Sequence, residues 1–134
     1  MSTNSRIAVK LGKGKYKSIN SHWDGYPSWN GKLLKENYTT LDKVIELIEL
    51  GSISVLGVKV GKKVDFDSFD SNKNKNTLAY HRDRGEVLQI DSHKTLKEIP
   101  SEEYIYLFRN GKWYVKRDNW KGFRLLTDKI IDKN

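Results

Sequence analysis

The chain has 134 residues, 37% hydrophobic and 31% charged, which suits one ordinary domain with its own core. Cysteine is absent, which excludes disulfides, a thiolate nucleophile and cysteine-based zinc or iron–sulfur sites. The net charge of +8 favours anionic partners such as nucleotides, nucleic acids or acidic proteins. The sequence shows neither the apolar core of a signal peptide nor an apolar run long enough for a membrane span. We therefore expect a soluble, cytoplasmic protein without membrane association.

The first predicted element is a hairpin near the N-terminus. Residues 6–11 alternate apolar and polar side chains, the pattern of a half-buried strand. Residues 12–15 read Gly-Lys-Gly-Lys and predict a turn, and residues 16–23 predict a second strand with a bulge near 18–21.

Two helices are predicted next. Residues 30–38 favour a short helix that buries Leu33, Leu34 and Tyr38. The main helix covers residues 41–50 and is capped by Thr39 or Thr40. Its apolar positions repeat at helical spacing and predict a stripe that packs on a sheet: Leu41, Val44, Ile45 and Ile48.

The middle of the chain carries weaker signals. Residues 52–64 are compatible with short strands or with an irregular connection. The Asn- and Lys-rich run at 71–76 predicts a mobile loop. Residues 87–90 predict a strand, and residues 95–100 predict a brief helical turn before a proline.

Residues 103–117 predict a second hairpin. Asn110 and Gly111 suit the two positive-φ positions of a type I′ turn, which pairs Phe108 with Trp113 and Leu107 with Tyr114. Residues 118–134 are expected to close the core with a strand or a short helix. The predicted fold is therefore a single α+β domain over residues 1–134, an antiparallel sheet of hairpins covered by one main helix and shorter helical turns.

Residues 22–29, His-Trp-Asp-Gly-Tyr-Pro-Ser-Trp, form the chemically densest stretch of the chain. Glycine and proline favour a turn there, and loops on a rigid scaffold often carry binding groups. Aromatic faces stack on nucleic-acid bases, but they are also common core residues. We expect Trp23 to lie in the core, and Tyr26 or Trp29 to be partly exposed.

The second unusual stretch, residues 80–86, reads Tyr-His-Arg-Asp-Arg-Gly-Glu. In a strand, Arg82 and Arg84 would share one face and form an anion clamp, while Asp83 would point the other way. Alternatively, Asp83 pairs with one of the arginines and the triplet is a solvated turn.

Together the two stretches predict a ligand site for a phosphate-bearing molecule such as a nucleotide. Arg82 and Arg84 would hold phosphate, while Tyr26, Trp29 and Tyr80 would stack. This requires Asp24 and Tyr26 to lie within ligand reach of the two arginines. The predicted site residues are His22, Asp24, Tyr26, Trp29, Tyr80, Arg82, Asp83 and Arg84.

An enzymatic alternative uses the carboxylates and imidazoles of the same two stretches. His22, Asp24, His81, Asp83 and Glu86 have the ligand chemistry of a divalent-metal site, as in a phosphodiesterase or nuclease. Nothing in their spacing requires a metal. We expect stoichiometric binding rather than catalysis, with no catalytic residue, metal or cofactor, while the oligomeric state stays open.

The His22-to-Pro27 segment, HWDGYP, and the segment RDRGE at 82–86 resemble those of an uncharacterised family of small phage and prophage proteins. The resemblance extends to the order of the predicted elements and covers most of the chain. It implies a phage accessory protein, since small non-structural phage proteins often neutralise host defences. The resemblance thus adds an alternative, an inhibitor that binds a host defence protein or a nucleic-acid-processing factor, and host protein or nucleic acid as further partners.

Overall fold

The computed structural model describes residues 3–71 and 73–134, which form an eight-stranded mixed sheet with helices. The strands, numbered in chain order, are β1 Ser5–Gly12, β2 Lys15–Ser21, β3 Ile53–Val55, β4 Leu78–Ala79, β5 Asp91–His93, β6 Tyr104–Arg109, β7 Lys112–Arg117 and β8 Arg124–Leu125. The α-helices are α1 Lys32–Asn37, α2 Leu41–Ile48, α3 Tyr80–Arg84 and α4 Asp128–Lys133.

The two predicted hairpins are confirmed. β1 and β2 pair antiparallel around a short turn, and β2 ends at Ser21, two residues before the predicted end. β6 and β7 pair in the predicted register, with φ of 51° at Asn110 and 75° at Gly111. The predicted bulge near 18–21 is wrong, because the β1–β2 register is regular there and shifts between Lys10 and Gly12 instead.

The sheet is mixed, so the α+β class is confirmed but the purely antiparallel arrangement is wrong. Its strand order is β4-β3-β2-β1-β6-β7-β8. The remaining strand, β5, pairs with the first half of β2, whereas β3 pairs with the last residue of β2. β1 pairs with β6 in parallel, and β2 contacts β3 in parallel. Both parallel pairs join strands separated by long connections that contain helices, which alternation of apolar residues within a strand does not reveal.

The sheet buries apolar side chains on both faces. The first face carries Ile7, Val9 and Tyr106, which pack with residues of α1, α2 and α4. The second face carries Ala8, Ile105 and Leu107, which are covered by Ile99 and partly by Leu96 and Phe123. β1 therefore lies at the centre of the sheet and between two apolar layers.

The main helix is confirmed as α2, but its inward stripe is shifted. Thr40 caps it by accepting a hydrogen bond from the Lys43 amide, as expected. Val44, Leu47 and Ile48 are its buried residues, whereas Leu41 lies at the exposed first turn. The short helix predicted at 30–38 is α1, and it follows a π-helical turn at Pro27–Gly31.

Of three other expectations, two differ from the structure and one is confirmed. Residues 87–90 form no strand, and the pairing falls instead on β5, immediately after them. The segment after β4 is helical rather than extended. It forms α3, which ends at Gly85 in the left-handed conformation. The turn expected at 95–100 is confirmed as a 3₁₀ turn at Leu96–Glu98.

The loop predicted at 71–76 is described except for residue 72, which lies outside the described residues. The Asn74 amide donates to the Asp70 carbonyl at 2.8 Å, and Asn76 forms a bridge with Lys59. The mobility of this loop stays a prediction. Within residues 3–71 and 73–134, none of the helices has the length or apolar character that crossing a membrane requires.

The buried hydroxyl of Tyr106 connects the sheet to the loop after β2. It donates to the Gly25 carbonyl at 2.6 Å, and the Tyr106 side chain is fully buried. Tyr106→Phe should lower the free energy of unfolding by about 1–3 kcal/mol, because it leaves that buried carbonyl unpaired.

Urea denaturation measures this loss. Tyr114→Phe is the matched control, since the Tyr114 hydroxyl makes no hydrogen bond within the described residues and its ring is half-buried. Equal effects of the two substitutions would show that the Gly25 contact does not contribute.

Candidate functional site

The loop that begins at His22 is shaped by close backbone packing. The amides of His22 and Trp23 donate to the Ile53 and Ser54 carbonyls, both at 3.1 Å, so the chain leaves β2 alongside β3. Asp24 then takes a positive φ of 57°. A Cβ at Gly25 would lie 2.7 Å from the Ser5 Cβ, which requires glycine there.

Asn30 fixes the return of this loop. Its side chain is fully buried and donates to the Ser21 hydroxyl at 3.1 Å and to the Trp23 carbonyl at 3.3 Å. The backbone amide of Asn30 donates to the Asp24 carbonyl at 3.2 Å. These contacts account for the ordered path from His22 to the π-helical turn and assign Asn30 a structural role.

The second stretch forms the single helical turn α3, which is held by Asp83. The Asp83 carboxylate accepts from the Ala79 amide at 2.7 Å and the Val64 amide at 3.0 Å. Burial raises the pKa of this carboxyl, but hydrogen bonds from Arg82 and the two amides outweigh burial and hold the pKa below its usual value. Asp83 is therefore an internal anion.

Arg82 is the partner of that anion and is fully engaged inside the protein. It forms two hydrogen bonds with Asp83, at 2.9 Å and 3.2 Å. Its guanidinium also donates to the backbone carbonyls of Thr77, Val60 and Gly61. Asp83 thus pairs with an arginine, as one of the two alternatives predicted. The pair is largely buried, however, so the triplet is not the solvated turn of that alternative.

The aligned arginine clamp is not formed. Residues two apart on a helix point in nearly opposite directions, so Arg82 and Arg84 diverge. Arg82 is directed towards the carbonyls before α3, whereas Arg84 lines an open cleft.

This cleft, of about 750 Å³, is where the two sequence stretches meet. The Tyr80 hydroxyl lies 3.4 Å from Nδ1 of His22, and both side chains line the cleft together with Arg84. The remaining lining residues come from β1, β2 and the segments beside α3: Arg6, Asn20, Ser52, Gly85, Glu86, Val87 and Gln89.

Arg84 is positioned by aromatic rings and by one carboxylate. Its Cζ lies 4.3 Å from the Phe66 ring centroid and 5.0 Å from that of Tyr80. Nε donates to Oε2 of Glu86, which also pairs with Nη2. The Arg84 side chain is 47% exposed, so it presents an oriented, accessible cation.

Arg6 contributes a second, mostly buried cation to the cleft. It pairs with Asp91 at 2.6 Å and donates to the Ser18 hydroxyl at 2.8 Å. The buried Nε of Arg6 has no hydrogen-bond partner within the described residues. Arg6 lies on the second face of the sheet because it alternates with Ile7 along β1.

The Arg6 network continues to His93. Nε2 of His93 lies 2.7 Å from the Ser18 hydroxyl. Because that hydroxyl already accepts from Arg6, its own proton is available to His93, which suits a neutral ring with Nε2 as acceptor. Burial lowers the pKa of His93, and the charge of Arg6 lowers it further.

Besides Arg82 and Asp83, the structure separates three further predicted site residues from this cleft. Asp24, Tyr26 and Trp29 do not line it. The Tyr26 hydroxyl donates to Asp24 at 3.4 Å, and burial together with the Asp24 charge raises the pKa of Tyr26. The turn that bears Trp29 contacts α4, where the Ser28 hydroxyl donates to the Asn134 carbonyl at 2.9 Å.

The exposure of the tryptophans also differs from expectation. Trp23, expected in the core, is 41% exposed and lies against His22 with ring centroids 4.8 Å apart. Trp29 is 43% exposed and Tyr26 is half-buried, as expected for that pair. Trp23 is displaced from the core because β2 ends at Ser21 and the loop turns the ring outward.

Sequence reasoning missed Arg6, Asn20 and Ser52 as cleft residues. A charged residue directly before the apolar strand residues Ile7 to Val9 was a signal for Arg6, since such a position is rarely buried without a role. Asn20 and Ser52 carry no comparable local signal, and only the meeting of β2 with the segment before β3 brings them together.

The metal alternative finds no ligand set in the part of the chain that the structure describes. There, no three His, Asp or Glu side chains lie together in a way that could hold a metal ion. Asp83 is bound by Arg82 and two amides, and Nδ1 of His81 lies 2.6 Å from the Glu86 carbonyl.

Comparisons with known proteins add no relative. No protein-family model matches the chain, and no significant match was found among curated proteins or among solved structures.

The buried His93 predicts acid sensitivity. Its folded-state pKa lies below the ordinary value of 6.5, so the unfolded chain binds the proton more readily. The free energy of unfolding should hold its full His93 contribution above pH 6.5 and decline as the pH falls towards the folded pKa.

Urea denaturation at pH 7.5 and at pH about 5 tests this. His93→Gln should lose less stability than the wild type over that interval, because glutamine does not titrate. A variant with the wild-type pH dependence would contradict the assignment.

Proposed function

We propose that this protein binds a phosphate-bearing ligand, such as a nucleotide, in the cleft between α3 and the loop after β2. The observation that carries the proposal is the meeting of His22, Tyr80 and Arg84 beside the buried cation Arg6. The proposed role is stoichiometric capture rather than chemistry. A cleft of about 750 Å³ is of the size that holds small ligands.

Arg84 is the proposed phosphate contact. Its present partner, Glu86, is an exposed carboxylate, and surface ion pairs contribute only about 0–1 kcal/mol. A phosphate can therefore replace Glu86 at small cost and gain charge-assisted hydrogen bonds to the guanidinium. The rings of Phe66 and Tyr80 already hold the guanidinium in place, which lowers the ordering cost of binding.

His22 and Tyr80 are the proposed contacts to the rest of the ligand. Their polar tips face each other at 3.4 Å, so a ligand hydroxyl or base edge can exchange hydrogen bonds with either. Trp23, whose ring lies tilted against His22 and is partly exposed, extends an aromatic surface beside the cleft. Arg82, Asp83, Asp24, Tyr26 and Trp29 have no part in this revised site.

The setting of a phage accessory protein acting against host defence is part of the proposal. It is supported by the resemblance of the HWDGYP and RDRGE segments to those of a family of small phage and prophage proteins. A nucleotide-type defence signal would be a ligand of the proposed chemistry, and its sequestration needs no catalytic group.

A second candidate is binding of a host protein at the same cleft. Val87 lines the cleft and is 82% exposed, so an apolar side chain lies open to solvent at the cleft rim. Exposed apolar residues beside a polar rim are typical of protein-binding surfaces. Val87→Ser would lower the affinity for such a partner protein and leave the affinity for a small nucleotide unchanged.

A thermal-shift panel of mono-, di- and cyclic nucleotides tests the proposed function. A bound nucleotide should raise the Tm of the wild type, and Arg84→Gln should weaken its affinity about tenfold or more by removing a charge-assisted contact. Lys43→Gln, an exposed cation on α2, is the charge-matched control and should bind as the wild type does. No shift with any nucleotide at millimolar concentration would refute the proposal.

Glu86→Gln tests the same contact in the opposite direction. Removal of the competing carboxylate frees Arg84 and should tighten nucleotide binding by up to about fivefold, the value of a surface ion pair. Isothermal titration with the nucleotide found in the panel measures the change. Weaker binding by the variant would mean that Glu86 contacts the ligand itself.

A further inference from the structure

We propose that the second face of the sheet has a separate site for single-stranded nucleic acid, alongside β6 and β7. The site is a groove of about 380 Å³, here called the basic groove, and its cations are Lys97, Arg109, Lys116 and Lys121. This site shares no residue with the cleft and does not depend on the function proposed for it.

The position of the groove follows from strand register. Across β6 and β7, Ile105 pairs with Lys116, and Leu107 pairs with Tyr114. These four side chains lie on the second face, where Ile105 and Leu107 are buried beneath Ile99 and Phe123. Lys116 and Tyr114 belong to the next strand outward, where this cover becomes incomplete and both side chains are half-buried. The result is an apolar floor bordered by basic side chains.

The charge of the groove is uncompensated. None of the residues that line it is acidic. Among the described residues, the ion pairs involve Arg6, Lys35, Arg82 and Arg84, and none of the four groove cations takes part in one. The groove thus differs from the cleft, where Arg84 is already paired with Glu86. Clustered cations without carboxylates attract a polyanion and release its counterions on binding.

The groove also offers flat surfaces for stacking. The Arg109 guanidinium lies over the Tyr114 ring, with Cζ 4.4 Å from its centroid. Phe123 lines the groove and is half-buried. Aromatic rings and guanidinium planes interleaved with cations on a sheet face suit unstacked bases and their phosphates.

These features favour single-stranded nucleic acid over the other polyanions. An acidic peptide satisfies the cations but has no bases to place on Arg109 and Phe123. A duplex satisfies the cations but keeps its bases stacked within the helix, out of reach of the same surfaces. A short single strand uses both the charge and the stacking surfaces of the groove.

Fluorescence anisotropy with labelled oligo-dT and oligo-U of about a dozen nucleotides tests the proposal. The variant Lys97→Gln with Lys116→Gln should bind at least about tenfold more weakly. It should also reduce the slope of log K against log salt by about 1.4, since each lost phosphate contact removes about 0.7. The charge-matched control is Lys129→Gln with Lys133→Gln on α4, which should bind as the wild type does.

Arg109→Lys separates stacking from charge. Lysine keeps the charge but loses the planar guanidinium, so affinity should fall several-fold while the salt slope stays the same. Arg84→Gln should leave oligonucleotide binding intact, which distinguishes failure of the cleft from failure of the groove. Three results would overturn the proposal: equal losses in the α4 control, equal binding of a duplex, or equal competition by polyglutamate of the same length.

Discussion

The structure depends on the burial of β1 on both of its faces. The strand lies between β2 and β6, and its residues Ile7, Ala8 and Val9 are almost fully inaccessible. Ile7 and Val9 anchor the layer formed with α1, α2 and α4, whereas Ala8 contacts the smaller cluster on the second face. Arg6 shares that second face, so its charge enters the interior and requires Asp91 and Ser18 as partners. The buried cation of the cleft is thus a consequence of the strand register.

Burial also decides the different roles of the two arginines in α3. Arg82 is directed inward, where it neutralises Asp83 and binds three carbonyls, so its removal would leave a buried anion unpaired. Arg84, two residues later, is directed to solvent and pairs with an exposed carboxylate that a ligand can replace. The helical twist directs Arg82 into the interior and leaves Arg84, the proposed phosphate contact, at the surface, although both arginines looked equivalent in the sequence.

Local patterns predicted the local parts of the fold. The period-two alternation and the Asn110–Gly111 turn determine the hairpins, and the Thr40 cap determines the start of α2, because each depends on neighbouring residues. The parallel pairing of β1 with β6 could not be predicted from local patterns, since it joins strands about a hundred residues apart. The helix at 80–84 was missed for a related reason: Asp83 is held by Val64, which lies far back in the sequence.

The candidate site was predictable in residue type but not in geometry. His22, Tyr80 and Arg84 were chosen from the two dense stretches, and the structure brings them together. Asp24 and Tyr26 were chosen on the same grounds, but the close approach of Gly25 to Ser5 turns the loop away after Trp23. Composition identifies side chains that can bind a ligand, whereas backbone packing decides which of them face one cavity.

The two proposed sites occupy the same face of the sheet but differ in how their cations are balanced. In the cleft, each arginine has a carboxylate partner, Asp91 for Arg6 and Glu86 for Arg84. Such a site carries little net field and favours a small ligand that replaces one carboxylate and fits the remaining contacts. In the basic groove, the four cations lack carboxylate partners within the described residues, so their field extends into solvent and favours a long anion. The pairing of cations, rather than their number, therefore assigns different ligand classes to the two sites.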